Sequence, residues 1–156
     1  MKSKINIFLI VFITYSMVFF NNCNKDPGNG YYDIPYVYVN KTVNLTLPSY
    51  QSLTIPGNYI YLPYEGYKGI VLFHAIDNTY LAFERACPYK PMDTCSIICM
   101  DLSNTYLKCG HYEGTTWVAC CGSKFDLDGN ILTNPAQYPL KRYQVIQEGS
   151  ILTIIN

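Results

Sequence analysis

Ala119-Cys120-Cys121-Gly122-Ser123-Lys124-Phe125-Asp126 is the stretch on which the reading of this chain turns. Two adjacent cysteines run into Gly-Ser, and the turn Asp128-Gly129-Asn130 follows. Upstream, Cys87-Pro88-Tyr89 leaves another apolar run in the same way. Each cysteine segment is therefore expected at the end of a strand, entering a loop punctuated by Gly or Pro. The pattern repeats outward. Strands are expected over residues 36–39, 42–47, 59–62, 69–74, 80–84, 96–101, 105–109, 115–119, 124–125, 143–147 and 151–155. Tyr, Thr, Ile and Val dominate these runs, and all four suit a pleated, half-buried surface. Pro35 and Pro48 bound the first pair, because proline cannot donate to a ladder. Pro56-Gly57-Asn58, Asp77-Asn78, Ser103-Asn104 and Glu148-Gly149 are turn signals, and the last predicts a hairpin. Helix signals are confined to a turn near residues 49–53. The expected fold is all-β, a sandwich of stacked antiparallel sheets with little helix.

Apolar residues make up 49% of the 156 and charged residues 14%, so the chain can bury a core and whole-chain disorder is excluded. Residues 1–22 read as a targeting segment. Lys2 and Lys4 precede an apolar stretch over residues 5–20 that contains Asn6, Thr14 and Ser16 and is shorter than the roughly 20 residues a spanning helix needs. It ends at Asn21-Asn22-Cys23. This resembles a bacterial lipoprotein signal, and the Asn- and Tyr-rich composition resembles Bacteroidetes envelope lipoproteins. The resemblance implies lipidation at Cys23, a polar tether over residues 23–33, a domain over residues 34–156, and a cell-envelope location, as an outer-membrane lipoprotein held to the membrane by its lipid. Loss of residues 1–22 removes two lysines and no acid, leaving 9 basic against 11 acidic residues. No basic stripe remains, which excludes a nucleic-acid partner.

Six cysteines remain beyond Cys23: Cys87, Cys95, Cys99, Cys109, Cys120 and Cys121. An even set in an exported domain predicts disulfides, with many pairings open. From residue 69 onward the order of features resembles a Rieske-like (iron–sulfur protein) domain. Ala86-Cys87-Pro88-Tyr89 stands as the first cluster loop and Cys120-Cys121-Gly122-Ser123-Lys124-Phe125-Asp126 as the second. Asn134-Pro135-Ala136-Gln137-Tyr138-Pro139-Leu140 stands as the segment that closes over both. The family binds a [2Fe–2S] cluster through two thiolates and two imidazoles. Carried onto this chain, the ligand positions fall on Cys87, Tyr89, Val118 and Cys121, so one of them keeps its residue type. The resemblance thus implies a degenerate member without a cofactor, with [2Fe–2S] and a redox role as the alternative. It also implies a disulfide between the loops, Cys95–Cys120, and a second, Cys87–Cys121, in the place of the metal; the swapped pairs Cys87–Cys120 and Cys95–Cys121 stay open. Cys99 and Cys109, which bracket the hairpin at Ser103-Asn104, are left as a cross-strand pair.

The other candidates read as structural. Cys95, Cys99, Cys109, His111, Cys120 and Cys121 offer zinc-type donors, but an oxidising compartment favours disulfides. His74 closes an apolar strand, His111 lies in a loop, and Asp126 and Asp128 belong to a turn. No nucleophile–base pair is legible, and no enzymatic activity is expected. Tyrosines at Tyr31-Tyr32, Tyr36/Tyr38, Tyr59/Tyr61 and Tyr64/Tyr67 suit half-buried strand faces; as an aromatic platform they would fit a protein or glycan partner. The expected role is a structural or binding module.

Overall fold

The computed structural model describes residues 34–156. The predicted signal segment, the tether, Cys23 and Tyr31-Tyr32 lie outside the described residues. The elements are β1 (Asn40–Asn44), a 3₁₀ helix (Pro48–Thr54), β2 (Tyr59–Leu62), β3 (Ile70–His74), β4 (Tyr80–Glu84), β5 (Ile98–Met100), β6 (Leu107–Glu113), β7 (Thr116–Phe125), β8 (Ile131–Thr133), β9 (Arg142–Glu148) and β10 (Ile151–Ile155). They form a six-stranded sheet in the order β1-β10-β9-β4-β3-β2 and a four-stranded sheet in the order β5-β6-β7-β8, with every pairing antiparallel. The all-β class, the antiparallel sheets and the short helical turn agree with the sequence.

β3 shows how the layers meet. Every residue of Ile-Val-Leu-Phe-His is buried, and successive side chains of a strand point to opposite faces. Val71 and Phe73 join Leu81 and Phe83 of β4 in the core shared with Ile98, Met100, Leu107 and Phe125 of the smaller sheet. Ile70 and Leu72 join Ala82 in a second core, with Val43, Leu53, Tyr143, Leu152 and Ile154. Each buried aliphatic or aromatic side chain contributes about 1.5–3 kcal/mol. A strand drawn into two cores at once is the centre of the fold. His74 ends it on the second face, stacked on Tyr80 at 4.3 Å between centroids.

Two expectations give way to the structure, and one strand, β8, is additional to those expected. Residues 36–39 are not a strand, because Asn156 takes over their backbone: its Nδ2 donates to Val37 O at 2.6 Å and its Oδ1 accepts from Val39 N at 3.1 Å. Residues 115–119 and 124–125 belong to one strand, β7, which runs through the cysteine pair. β8 was hidden by its length and by the Asp126 turn before it, where Oδ1 accepts from Asp128 N and Asn130 N.

β4 ends at the site. Glu84 is fully buried, and its carboxylate accepts four hydrogen bonds: Oε1 from Lys68 N (2.9 Å) and Ala86 N (3.0 Å), Oε2 from Tyr67 N (2.7 Å) and the Tyr143 hydroxyl (2.8 Å). Burial and the neighbouring carboxylate push the Tyr143 phenol up, so it stays a donor. Next door, Arg85 Nε donates to Ile98 O at 2.9 Å while its guanidinium lies 3.8 Å from the Tyr61 ring centroid. These contacts fix where the chain leaves β4 for Cys87.

Candidate functional site

The first cysteine loop is pinched at its base. Ile98 N donates to Arg85 O (2.6 Å), Ala86 bridges Ile97, and Cys87 N donates to Ser96 O (3.3 Å). Inside, Ser96 Oγ donates to Tyr89 O at 3.0 Å. Lys68 crosses the loop, its ammonium donating to Asp93 O and, at 3.2 Å, to Ser96 O.

The second cysteine segment is a bulge. Lys108 pairs with Lys124 and Gly110 pairs with Ala119, so Cys109 alone on β6 stands opposite Cys120, Cys121, Gly122 and Ser123 on β7. Such an excess on one strand bends it and redirects its side chains. Gly110 makes the bend possible. Its φ is +143°, and a Cβ there would meet Val118 O at 2.3 Å and Trp117 at 2.6 Å.

The bulge brings the two segments together. Cys95 and Cys120 are joined as a disulfide, with Cα atoms 5.3 Å apart. Behind the bridge, the sulfurs of Cys87, Cys109 and Cys121 all lie within 4.8 Å of one another. Cys87 and Cys121 face each other as expected, but as thiols 3.9 Å apart and not as a bond.

The Cys99–Cys109 pair is corrected. β5 and β6 pair Ile98 with Cys109 and Cys99 with Lys108. One residue out of register places the two cysteines on opposite faces of the sheet. Cys99 instead accepts from Arg85 Nη2 at 3.4 Å, and Cys109 becomes the third sulfur of the cluster. The sequence signal for this was Gly110, since a glycine inside a strand marks a bulge. The zinc-type donors weighed against disulfides are not brought together as a set, because Cys95 and Cys120 are bonded and His111 pairs with Glu113 at 3.4 Å. His74 lies on the other sheet.

Two hydroxyls border the sulfurs. Ser123 Oγ accepts from Ala136 N at 2.9 Å and lies 3.3 Å from Cys121 Sγ; Ser96 Oγ lies 3.9 Å from Cys109 Sγ. A hydrogen bond with Cys87 and burial push the Cys109 thiol up. Burial raises Cys121, against the opposing hydrogen bond of Ser123. Burial lowers the Lys68 ammonium, while the charge of Asp93 pulls it back.

Tyr89 is half-buried against the core, and Val118 sits in the regular ladder opposite His111, outside the bulge. A Rieske centre takes two thiolates and two imidazoles. The cluster of donors described here is three sulfurs with no imidazole, so the donor set does not match that pattern.

The tyrosines divide. Tyr59 and Tyr61 meet edge to face at 5.3 Å and pack on the core. Tyr61 also accepts from Met100 N at 2.9 Å. Tyr36, Tyr38 and Tyr64 are exposed, and Tyr64 lines an open cleft of about 300 Å³ with Lys41, Tyr50, Tyr61 and Glu65.

No family model matches the chain, and no curated protein is similar to it. Among solved structures, the chain is similar to the cyanobacterial plasma membrane Rieske protein PetC3 from Synechocystis PCC 6803, at 17% identity and TM-score 0.44 over 56% of this chain and 77% of that one. A candidate NADH-dependent nitrite reductase small subunit from Mycobacterium tuberculosis aligns at 16% identity and TM-score 0.43, over 78% of this chain and 97% of that one. A candidate NADPH nitrite reductase small subunit aligns at 18% and 0.41, over 74% and 99%.

Proposed function

We propose that this chain is an envelope-anchored module of Rieske-like build that has lost its [2Fe–2S] cluster and serves a structural or binding role. The observation that carries the reading is the end of the molecule where the two cysteine segments meet. There a disulfide ties the loops, and the remaining donors are three sulfurs without an imidazole. The third segment of the resemblance closes the same end. Ala136 N reaches Ser123 Oγ, and Ala136 and Leu140 are buried in the core with Cys87 and Cys109. Anchoring rests on the lipoprotein-like segment ending at Cys23, and the exposed Tyr36, Tyr38 and Tyr64 are the surface for a protein or glycan partner.

Visible absorption, iron analysis and low-temperature EPR of dithionite-reduced protein, purified without oxygen, test the loss of the cluster. A colourless, iron-free and EPR-silent sample is expected; a reduced [2Fe–2S] signal in proportion to protein refutes the reading in favour of electron transfer. Palmitate labelling tests the anchor. Label on the wild type that is absent from Cys23→Ala is expected, and an unlabelled wild type overturns it.

A further inference from the structure

We propose that Cys87, Cys109 and Cys121 form a three-thiolate site for a monovalent copper ion, an inference that rests on the reading that this end carries no iron–sulfur cluster. The three sulfurs come from three separate segments: the loop after β4, the single residue opposite the bulge, and the bulge itself. An ion bonded equally to three sulfurs at about 2.3 Å, the length of a thiolate–metal bond, holds them roughly 4 Å apart. Cys87 and Cys121 already stand at 3.9 Å, and no edge of the triangle exceeds 4.8 Å. The Cys95–Cys120 bond holds the two loops at this spacing from just outside the triangle.

The donor set selects the ion. Soft sulfur ligands favour monovalent copper, zinc and iron–sulfur clusters. Structural zinc sites take four protein ligands, and among the described residues no imidazole or carboxylate joins the three sulfurs. The nearby hydroxyls of Ser96 and Ser123 are neutral. Monovalent copper is satisfied by three sulfurs. Each thiol releases its proton to solvent as its sulfur bonds to the ion, so three thiolates and one monovalent cation leave a charge of −2. The Lys68 ammonium, which reaches Ser96 O at 3.2 Å while Ser96 Oγ lies 3.9 Å from Cys109 Sγ, offsets part of it. Ser123 supplies the outer hydrogen bond. Its oxygen accepts from Ala136 N and from the Cys121 thiol; once that thiol has lost its proton on binding the ion, the Ser123 hydroxyl turns its own proton to the sulfur.

The test is anaerobic titration of the full chain, in detergent, with copper(I) buffered by bicinchoninate, read by native mass spectrometry and by X-ray absorption. One equivalent per chain, with a first shell of sulfur alone, is expected. Cys109→Ser should weaken binding by more than the roughly 100-fold that an outer-shell partner is worth, and Ser123→Ala by about 10-fold. Cys99→Ser should bind as the wild type does. Unfolding of Cys109→Ser is checked by Trp117 fluorescence; if that variant fails to fold, the sulfur-only first shell of the wild type decides. Failure to draw copper from the chelator, a nitrogen- or oxygen-rich shell, unchanged affinity in folded Cys109→Ser, or binding of zinc alone overturns the proposal. A colourless, iron-free protein that ignores copper refutes this inference and leaves the loss of the cluster standing; an iron–sulfur signal refutes both.

Discussion

Replacing Glu84 by Gln alters one atom's chemistry and little else, so its cost can be worked from the four bonds the carboxylate accepts. Oε1 receives Lys68 N and Ala86 N; Oε2 receives Tyr67 N and the Tyr143 hydroxyl. An amide has one acceptor oxygen and one NH₂. Placed at the first position, the NH₂ confronts two backbone donors. At the second, the Tyr143 hydroxyl can turn to accept, and Tyr67 N–H alone is orphaned. The second arrangement is therefore adopted. A buried unsatisfied donor costs about 1–3 kcal/mol, and the surviving bonds lose the strengthening that a charged acceptor gives. The sum is a destabilisation of about 3 kcal/mol. Tyr143→Phe removes one bond to a charged group and should cost about 1.5–3 kcal/mol. The two changes together should cost clearly less than their sum, because both act on Oε2. Urea unfolding followed by Trp117, the single tryptophan, measures all three variants. A Glu84→Gln midpoint within about 0.5 kcal/mol of wild type would refute the reasoning.

Three further outcomes follow from the same structure. Cys95→Ser with Cys120→Ser opens a bridge spanning 25 residues, which chain entropy rates at roughly 3.5 kcal/mol; an unchanged urea midpoint would show that the bridge adds nothing. Gly110→Ala forces a side chain into a φ of +143° with Val118 O at 2.3 Å and should cost about 3 kcal/mol or more, whereas Gly122→Ala, whose nearest neighbour is Asn134 O at 3.3 Å, should cost less; the reverse order in thermal melts contradicts the bulge geometry. Asp101 is held well below the usual carboxylate range, first by its bond to Lys108 and then by Ser103 N. A depressed carboxylate adds stability above its unfolded value near pH 4 and loses it as pH falls towards the folded value. Asp101→Asn should therefore lie about 1 kcal/mol below wild type at pH 7, with the gap narrowing as pH falls below about 4 and closing only below the folded value, and a pH-independent gap in urea midpoints sinks the assignment.

Much of the architecture was legible in local pattern. β2, β4 and β10 begin and end where their apolar alternation does, because each carries its own turn residues and faces a core. Residues 36–39 show the same alternation without forming a strand, since the group that satisfies them, Asn156, lies at the far end of the chain. No local window contains that information. The site divides along the same line. Motif order places Cys87, Cys95, Cys120 and Cys121, whereas only exclusion pairs Cys109 with Cys99. Only the register, set by the turn from Asp101 to Tyr106, shows that the two point apart. Gly110 was the one local residue that marked the bend.

The bulge between Ala119 and Lys124 also bears on how such a domain changes over time. Regular pairing is complete on either side of it, at Gly110↔Ala119 and Lys108↔Lys124, so its contents carry no share of the strand alignment. Within it, Cys120 and Ser123 tie the strand to Cys95 and Ala136 instead, so exchanges there act through those ties and not through the ladder. The donor atom on this strand, Cys121, is thus carried by a segment whose backbone the ladder leaves free to bend, while the strands on either side hold the frame.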